Sequence, residues 1–232
     1  IVFADTYTNY SRVDVGKATI RVLEAANVHV QLADRTDSGR PAYSKSFIGK
    51  ARETAKENVH ALTPRVRKGW DVVFVEPSDA VMAQSDYLDL LEGSDVRTLA
   101  DNAYGVSEYL DVHDLVENVD WQAPEKVLTY HGHCHQKGTS KDHHAAAVLA
   151  DAGYEVDELD SGCCGMAGSF GYEAEHHSMS KSVGDIVFDQ VEASHGDELT
   201  APGASCRTQF EDSDVAEGQP PHPAEELEAA LP

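Results

Sequence analysis

Sliding the chain against itself by 126 residues brings Val22 onto Val148, Leu23 onto Leu149, Ala26 onto Ala152, Val30 onto Val156 and Gly39 onto Gly165. A duplicated apolar pattern requires the same packing solution twice. Within it, short β-favouring runs alternate with segments of helical periodicity, the signature of βαβ units around a mainly parallel sheet. Strands are predicted at Ile1–Ala4, Val28–Leu32, Val72–Val75, Val127–Tyr130, Tyr154–Leu159 and Glu198–Ala201. One apolar helical face carries Val15, Ala18, Val22, Leu23 and Ala26. A second carries Phe47, Ile48, Ala51, Ala55, Val59 and Leu62, and a third Met179, Val183, Ile186, Val187 and Val191. The expected fold class is α/β: two pseudo-repeated βαβ-type half-domains with mainly parallel sheets, residues 1–115 and 124–232, joined through the polar stretch between Asp111 and Pro124. Beyond Ala201 the chain turns Pro, Gly and acid rich, and reads as a partly ordered tail with a short helix from Pro223 to Leu231.

A chain of 232 residues, 41% of them hydrophobic, can bury a sizeable core without disulfides or metals. No apolar run approaches the roughly 20 residues needed to cross a bilayer. The chain opens on Ile without a leader, so a soluble cytoplasmic piece of a longer polypeptide is expected. Forty-one acidic residues against 18 basic ones give a net charge of −23, which repels phosphate backbones and excludes nucleic acid as a partner. Acids scattered through helices in this way suit a hydrated surface working in concentrated, halophilic salt.

Every cysteine lies in the second half. Cys134 follows a predicted strand in Tyr130-His-Gly-His-Cys-His-Gln-Lys137, Cys163 and Cys164 follow the next in Asp160-Ser-Gly-Cys-Cys-Gly165, and Cys206 follows the last in Ala201-Pro-Gly-Ala-Ser-Cys206. Three post-strand loops should converge at the carboxyl edge of one sheet, where α/β folds place ligands. Four thiolates at one point need positive charge among them, and the set suits an iron–sulfur cluster or tetrahedral zinc. Paired Cys-x-x-Cys zinc knuckles are absent, which favours the cluster. Glycines at Gly162, Gly165 and Gly168 would let amides approach the sulfurs. Uncoordinated redox thiols are the remaining alternative.

These residues resemble the cysteine-rich CCG domain of the iron–sulfur subunits of glycolate oxidase, anaerobic glycerol-3-phosphate dehydrogenase, lactate-utilisation proteins and heterodisulfide reductase. His133-Cys-His-Gln-Lys137 and Cys163-Cys-Gly-Met-Ala-Gly-Ser-Phe-Gly-Tyr-Glu173 carry the likeness, with Gly39-Arg-Pro-Ala-Tyr-Ser-Lys45 and Glu76-Pro-Ser78 in the first half. The phrasing is similar to the version fused behind FAD-linked oxidases. The resemblance implies a cluster of the 4Fe–4S type on Cys134, Cys163, Cys164 and Cys206, and an electron-transfer role beside an FAD-binding dehydrogenase domain or subunit. The substrate would be a 2-hydroxy acid of the glycolate or D-lactate class, or glycerol-3-phosphate, and the electrons would go to a quinone or carrier protein at the inner face of the membrane. The competing functions are a zinc-stabilised interaction module and a thiol–disulfide reductase component.

Two departures from the family matter. Asp37 and Ser38 stand where the first half usually has Cys-Cys, and Asp79 stands near its later Cys, so the first half should hold no second cluster. A vestigial pocket is favoured there over a hard-cation site. Gly203 replaces the first sulfur of a frequent final Cys-x-x-Cys, leaving four ligands at most. His131, His133 and His135 surround Cys134 as candidate auxiliary ligands or hydrogen-bonded structural residues. His143, His144, His176 and His177 are read as exposed helical residues. Lys137 and Arg207 are positioned to offset cluster charge, and Gly165–Gly171 reads as a sulfur-solvating loop rather than a phosphate loop.

Overall fold

The computed structural model describes residues 1–232. Two parallel sheets of three strands form its frame. The first comprises β1 (Val2–Phe3), β2 (Val72–Phe74) and β3 (Ala103–Gly105), with β2 central and Val2 in register with Val73, and Val73 with Tyr104. In the second, β4 (Val127–Tyr130) is flanked by β5 (Glu155–Glu158) and β6 (Glu198–Thr200). Leu128 pairs with Val156 on one side and Glu198 on the other.

The duplicated pattern is a duplicated fold. The same displacement that aligns Val22 with Val148 carries β1 onto β4 and β2 onto β6. Val28–Leu32 then falls on β5, yet it is not a strand. It runs beside β1 through one parallel bridge, Val2 to Leu32, with Val2 N–H donating to Gln31 O at 2.8 Å and Ala33 N–H to Val2 O at 2.9 Å. The first sheet gains β3 on its other side instead. Ala103–Gly105 is too short to register as a periodic run.

Helices cover the sheets as their apolar spacing requires. Val13–Ala25 buries Val15, Ala18, Val22 and Leu23. Ile48–Val66 buries Ala51, Ala55, Val59 and Leu62, while Phe47 and Ile48 at its start are exposed. The helix His177–Ala193 departs from expectation, because Met179 and Ile186 face outward and the buried line is Ser180, Gly184 and Val187. The cause is a close approach. A Cβ on Gly165 would stand 2.2 Å from Ser180 O, and one on Gly184 would stand 3.1 Å from Cys164 O. The cysteine loop lies directly on this helix, and only small residues let it do so.

The halves share one core. A single buried cluster joins Val2, Val22 and Leu110 of the first half to Leu128, Tyr130, Leu149 and Leu227 of the second. The tail completes it through its closing helix, while Glu211, Asp212, Asp214, Glu217 and Gly218 before that helix are exposed. Its helix Pro223–Ala229 buries Ala224 and Leu227 against Val13–Ala25. Tyr154 Oη donates to Glu226 O at 2.7 Å and Gln122 N–H to Ala230 O at 2.7 Å. No helix is long and apolar enough to cross a membrane.

Candidate metal centre

The chain leaves β4 through His131–Cys134, β5 through Leu159–Cys164 and β6 through Ala201–Cys206, so all three cysteine loops sit at the carboxyl edge of the second sheet. Cys164 and Cys206 are buried at 2% and 1% exposure, whereas Cys134 and Cys163 are half-buried. Their sulfurs form one run: Cys134 lies against Cys163, Cys163 against Cys164 and Cys164 against Cys206. Each sulfur perturbs its neighbour: the Cys134 and Cys164 thiols are pushed up, and Cys163 and Cys206 are held down, chiefly by the adjacent sulfur. A group binding all four sulfurs as thiolates would displace their protons.

Around the sulfurs, each neighbour has an identifiable task. Gly165 N–H donates to Cys163 Sγ at 3.3 Å, with φ of +91° that glycine adopts without strain. Gly168 N–H donates instead to Ser205 Oγ at 3.2 Å, and Gly162 crowds nothing. Lys137 does not face a sulfur; its Nζ donates to Leu159 O at 3.3 Å and Ser161 O at 2.5 Å, tying down the strand end that leads to Cys163. His131 is fully buried, its Nδ1 bonded to Ser161 Oγ at 2.7 Å and its ring edge-on to Phe210, while Nε2 has no partner and its ring lies beside Cys206. His135 is held neutral by burial, its pKa lowered to about 4, and its Nδ1 is likewise unpartnered. Arg207 is 2% exposed, 3.5 Å from Glu225 through Nη1, with Nε bonded to nothing. Four cysteine sulfurs, buried ring nitrogens without partners and a buried guanidinium make a set that fits an anionic metal–sulfur group.

His133 explains the missing sulfur. A Cβ on Gly203 would stand 2.3 Å from His133 Cδ2 and 3.3 Å from Cys206 Sγ, so the imidazole fills the space a side chain at 203 would take. His133 also caps the Cys134–Gly138 helix, its Nδ1 accepting from His135 N–H at 3.3 Å. Burial lowers its pKa.

The equivalent edge of the first sheet carries the Asp37, Ser38 and Asp79 substitutions, and each finds a hydrogen-bond partner within that edge. Ser38 Oγ donates to Asp79 Oδ1 at 2.5 Å, Tyr87 Oη donates to Ser38 O at 2.6 Å, and Gly39 N–H donates to Asp37 Oδ1 at 2.8 Å. Burial, then the charge of Asp5, pushes the Asp79 carboxyl well above its ordinary range. The two edges meet at Glu76, a residue the sequence marked only as part of a motif. Its Oε2 accepts from Ala204 N–H at 2.9 Å at the head of the Cys206 helix, and its Oε1 lies 3.9 Å from His133 Nε2. Glu76 also caps the Pro77–Val81 helix, for which the following Pro is the local signal.

Residues 128–211 match the CCG cysteine-rich domain model. Among curated relatives, a subunit of the anaerobic glycerol-3-phosphate dehydrogenase of Escherichia coli (strain K12) is 28% identical over 213 residues, covering 90% of this chain and 54% of the relative. D-2-hydroxyglutarate dehydrogenase of the same strain is 25% identical over 216 residues, 90% of this chain and 20% of the relative. Lactate utilization protein A of Geobacillus thermodenitrificans (strain NG80-2) is 25% identical over 210 residues, 86% and 82% respectively. The chain thus spans about half of the first relative and a fifth of the second.

Proposed function

We propose that this chain is the electron-transfer part of an FAD-linked oxidoreductase, and that Cys134, Cys163, Cys164 and Cys206 hold an iron–sulfur cluster of the 4Fe–4S type. The observation that carries the reading is the single run of four sulfurs drawn from three separate post-strand loops. Such a cluster supplies one-electron steps between a two-electron flavin and a one-electron acceptor.

The chain's own residues supply the setting. Gly165 N–H stabilises negative charge on Cys163. His131 and Ser161 pack the buried end of the run, and Arg207 sets a fixed positive charge one residue from Cys206. The substrate would be a small 2-hydroxy acid or glycerol-3-phosphate, as the names of the relatives indicate. It would be oxidised in a flavin-binding partner, with a quinone or carrier protein taking the electrons on the cytoplasmic side.

Anaerobic reconstitution with iron and sulfide, followed by visible absorption and EPR before and after dithionite, tests this. A brown protein that bleaches on reduction and loses its chromophore in Cys206→Ser is expected. A colourless wild-type protein that takes up one zinc per chain, with all four thiols protected, would overturn it.

A further inference from the structure

Asp111 ends the helix Val106–Val112, the last of the first half, and His143 and His144 begin the helix His143–Asp151 of the second. The two helices pack against each other. Asp111 Oδ2 and His144 Nδ1 are 2.5 Å apart, the ring of His143 lies 4.0 Å from that of His144 at 37°, and one donor atom from each of the three residues lies within 4.8 Å of the others. Consecutive residues of a helix point about 100° apart, so the backbone does not bring two neighbouring imidazoles together. Both have turned toward one carboxylate.

We propose that Asp111, His143 and His144 form a divalent-cation site, distinct from the cysteines, for a borderline ion such as Zn²⁺, Co²⁺ or Ni²⁺. Two imidazoles and a carboxylate are the donor set these ions prefer, with water completing the coordination. An ion bound at His144 Nδ1 replaces the hydrogen bond to Asp111, and the ring's proton is then carried on Nε2. It meets a chain of net charge −23, which raises the local concentration of any cation. Because the ligands come from both halves, binding clips the end of one half to the start of the next.

Co²⁺ titration of the full chain, followed by absorption and by binding stoichiometry, separates this site from the cysteines, since thiolate ligation gives intense sulfur-to-cobalt charge transfer and a histidine–carboxylate site gives only weak visible bands. The wild type should bind one more Co²⁺ than the Asp111→Asn, His143→Ala, His144→Ala triple variant, and the extra ion should lack the charge-transfer band. His143 is exposed, so His143→Ala alone should fold normally, with an unchanged circular dichroism melt in EDTA, yet weaken that ion by more than about a hundredfold, beyond what losing an outer-shell partner costs. Added Zn²⁺ should raise the melting temperature of the wild type and not of the triple variant. Equal stoichiometry in the two proteins, or a charge-transfer band on the extra ion, would overturn the site.

Discussion

Replacing Glu76 by Gln should change how stability depends on pH. Burial, with the charge of Asp5 beside it, raises the Glu76 carboxyl from 4.5 to about 7. Its protonated form is therefore the one the fold accommodates. The contribution is fully present below pH 4.5 and is lost as pH rises through 7, because the unfolded chain releases this proton first. At about 1.4 kcal/mol per tenfold change in proton affinity, the wild type should lose roughly 3 kcal/mol between pH 4.5 and pH 8 through this group. The side chain is 15% exposed, so that figure is an upper bound. Gln has the same shape and does not titrate. Its oxygen can still accept from Ala204 N–H, while its NH₂ faces Ser78 N–H and costs about 1 kcal/mol. The variant should thus be the less stable protein at pH 4.5 and the more stable one at pH 8. Urea unfolding at half-unit pH intervals in constant high salt measures the crossing. Parallel stability curves for the two proteins would refute the assignment of a buried, proton-holding Glu76.

Gly165→Ala should lower stability by about 3 kcal/mol, combining a φ of +91° with a Cβ 2.2 Å from Ser180 O, and the urea midpoint should show it. Gly203→Cys alone should destabilise by pushing on His133, whereas combining it with His133→Ala should recover much of the loss, giving a coupling of about 1–3 kcal/mol in a double-mutant cycle. Raising salt from 0.15 M to 1 M shortens the screening length from about 8 to about 3 Å. With a net charge of −23 the melting temperature should rise over that range, and a flat profile would show that self-repulsion is unimportant.

The repeated pattern was legible because packing fixes it. Val15, Ala18, Val22 and Leu23 are buried as their spacing requires, and β1 and β2 recur as β4 and β6. The convergence of Cys134, Cys163, Cys164 and Cys206 was legible too, since strand ends in a parallel sheet share an edge. What escaped depends on contacts between remote segments. Met179 and Ile186 have a good helical spacing, but the approach of Gly165 selects the Ser180–Gly184 face instead. Val28–Leu32 has strand composition, yet lacks the pairing that its counterpart β5 finds. Nothing local to Glu76 announces the amide of Ala204, and the meeting of Asp111 with His143 and His144 requires the two halves to be folded together.

The helix Pro223–Ala229 belongs in sequence to the cysteine-bearing half but rests on Val13–Ala25 of the other. Detaching the thiol-free portion would strip Ala224 and Leu227 of their cover and bare Val22 and Leu23 to water. That portion, which ligates nothing through sulfur, therefore works as a brace, and its partner could not be cut free without unravelling at the end farthest along the chain from its first cysteine.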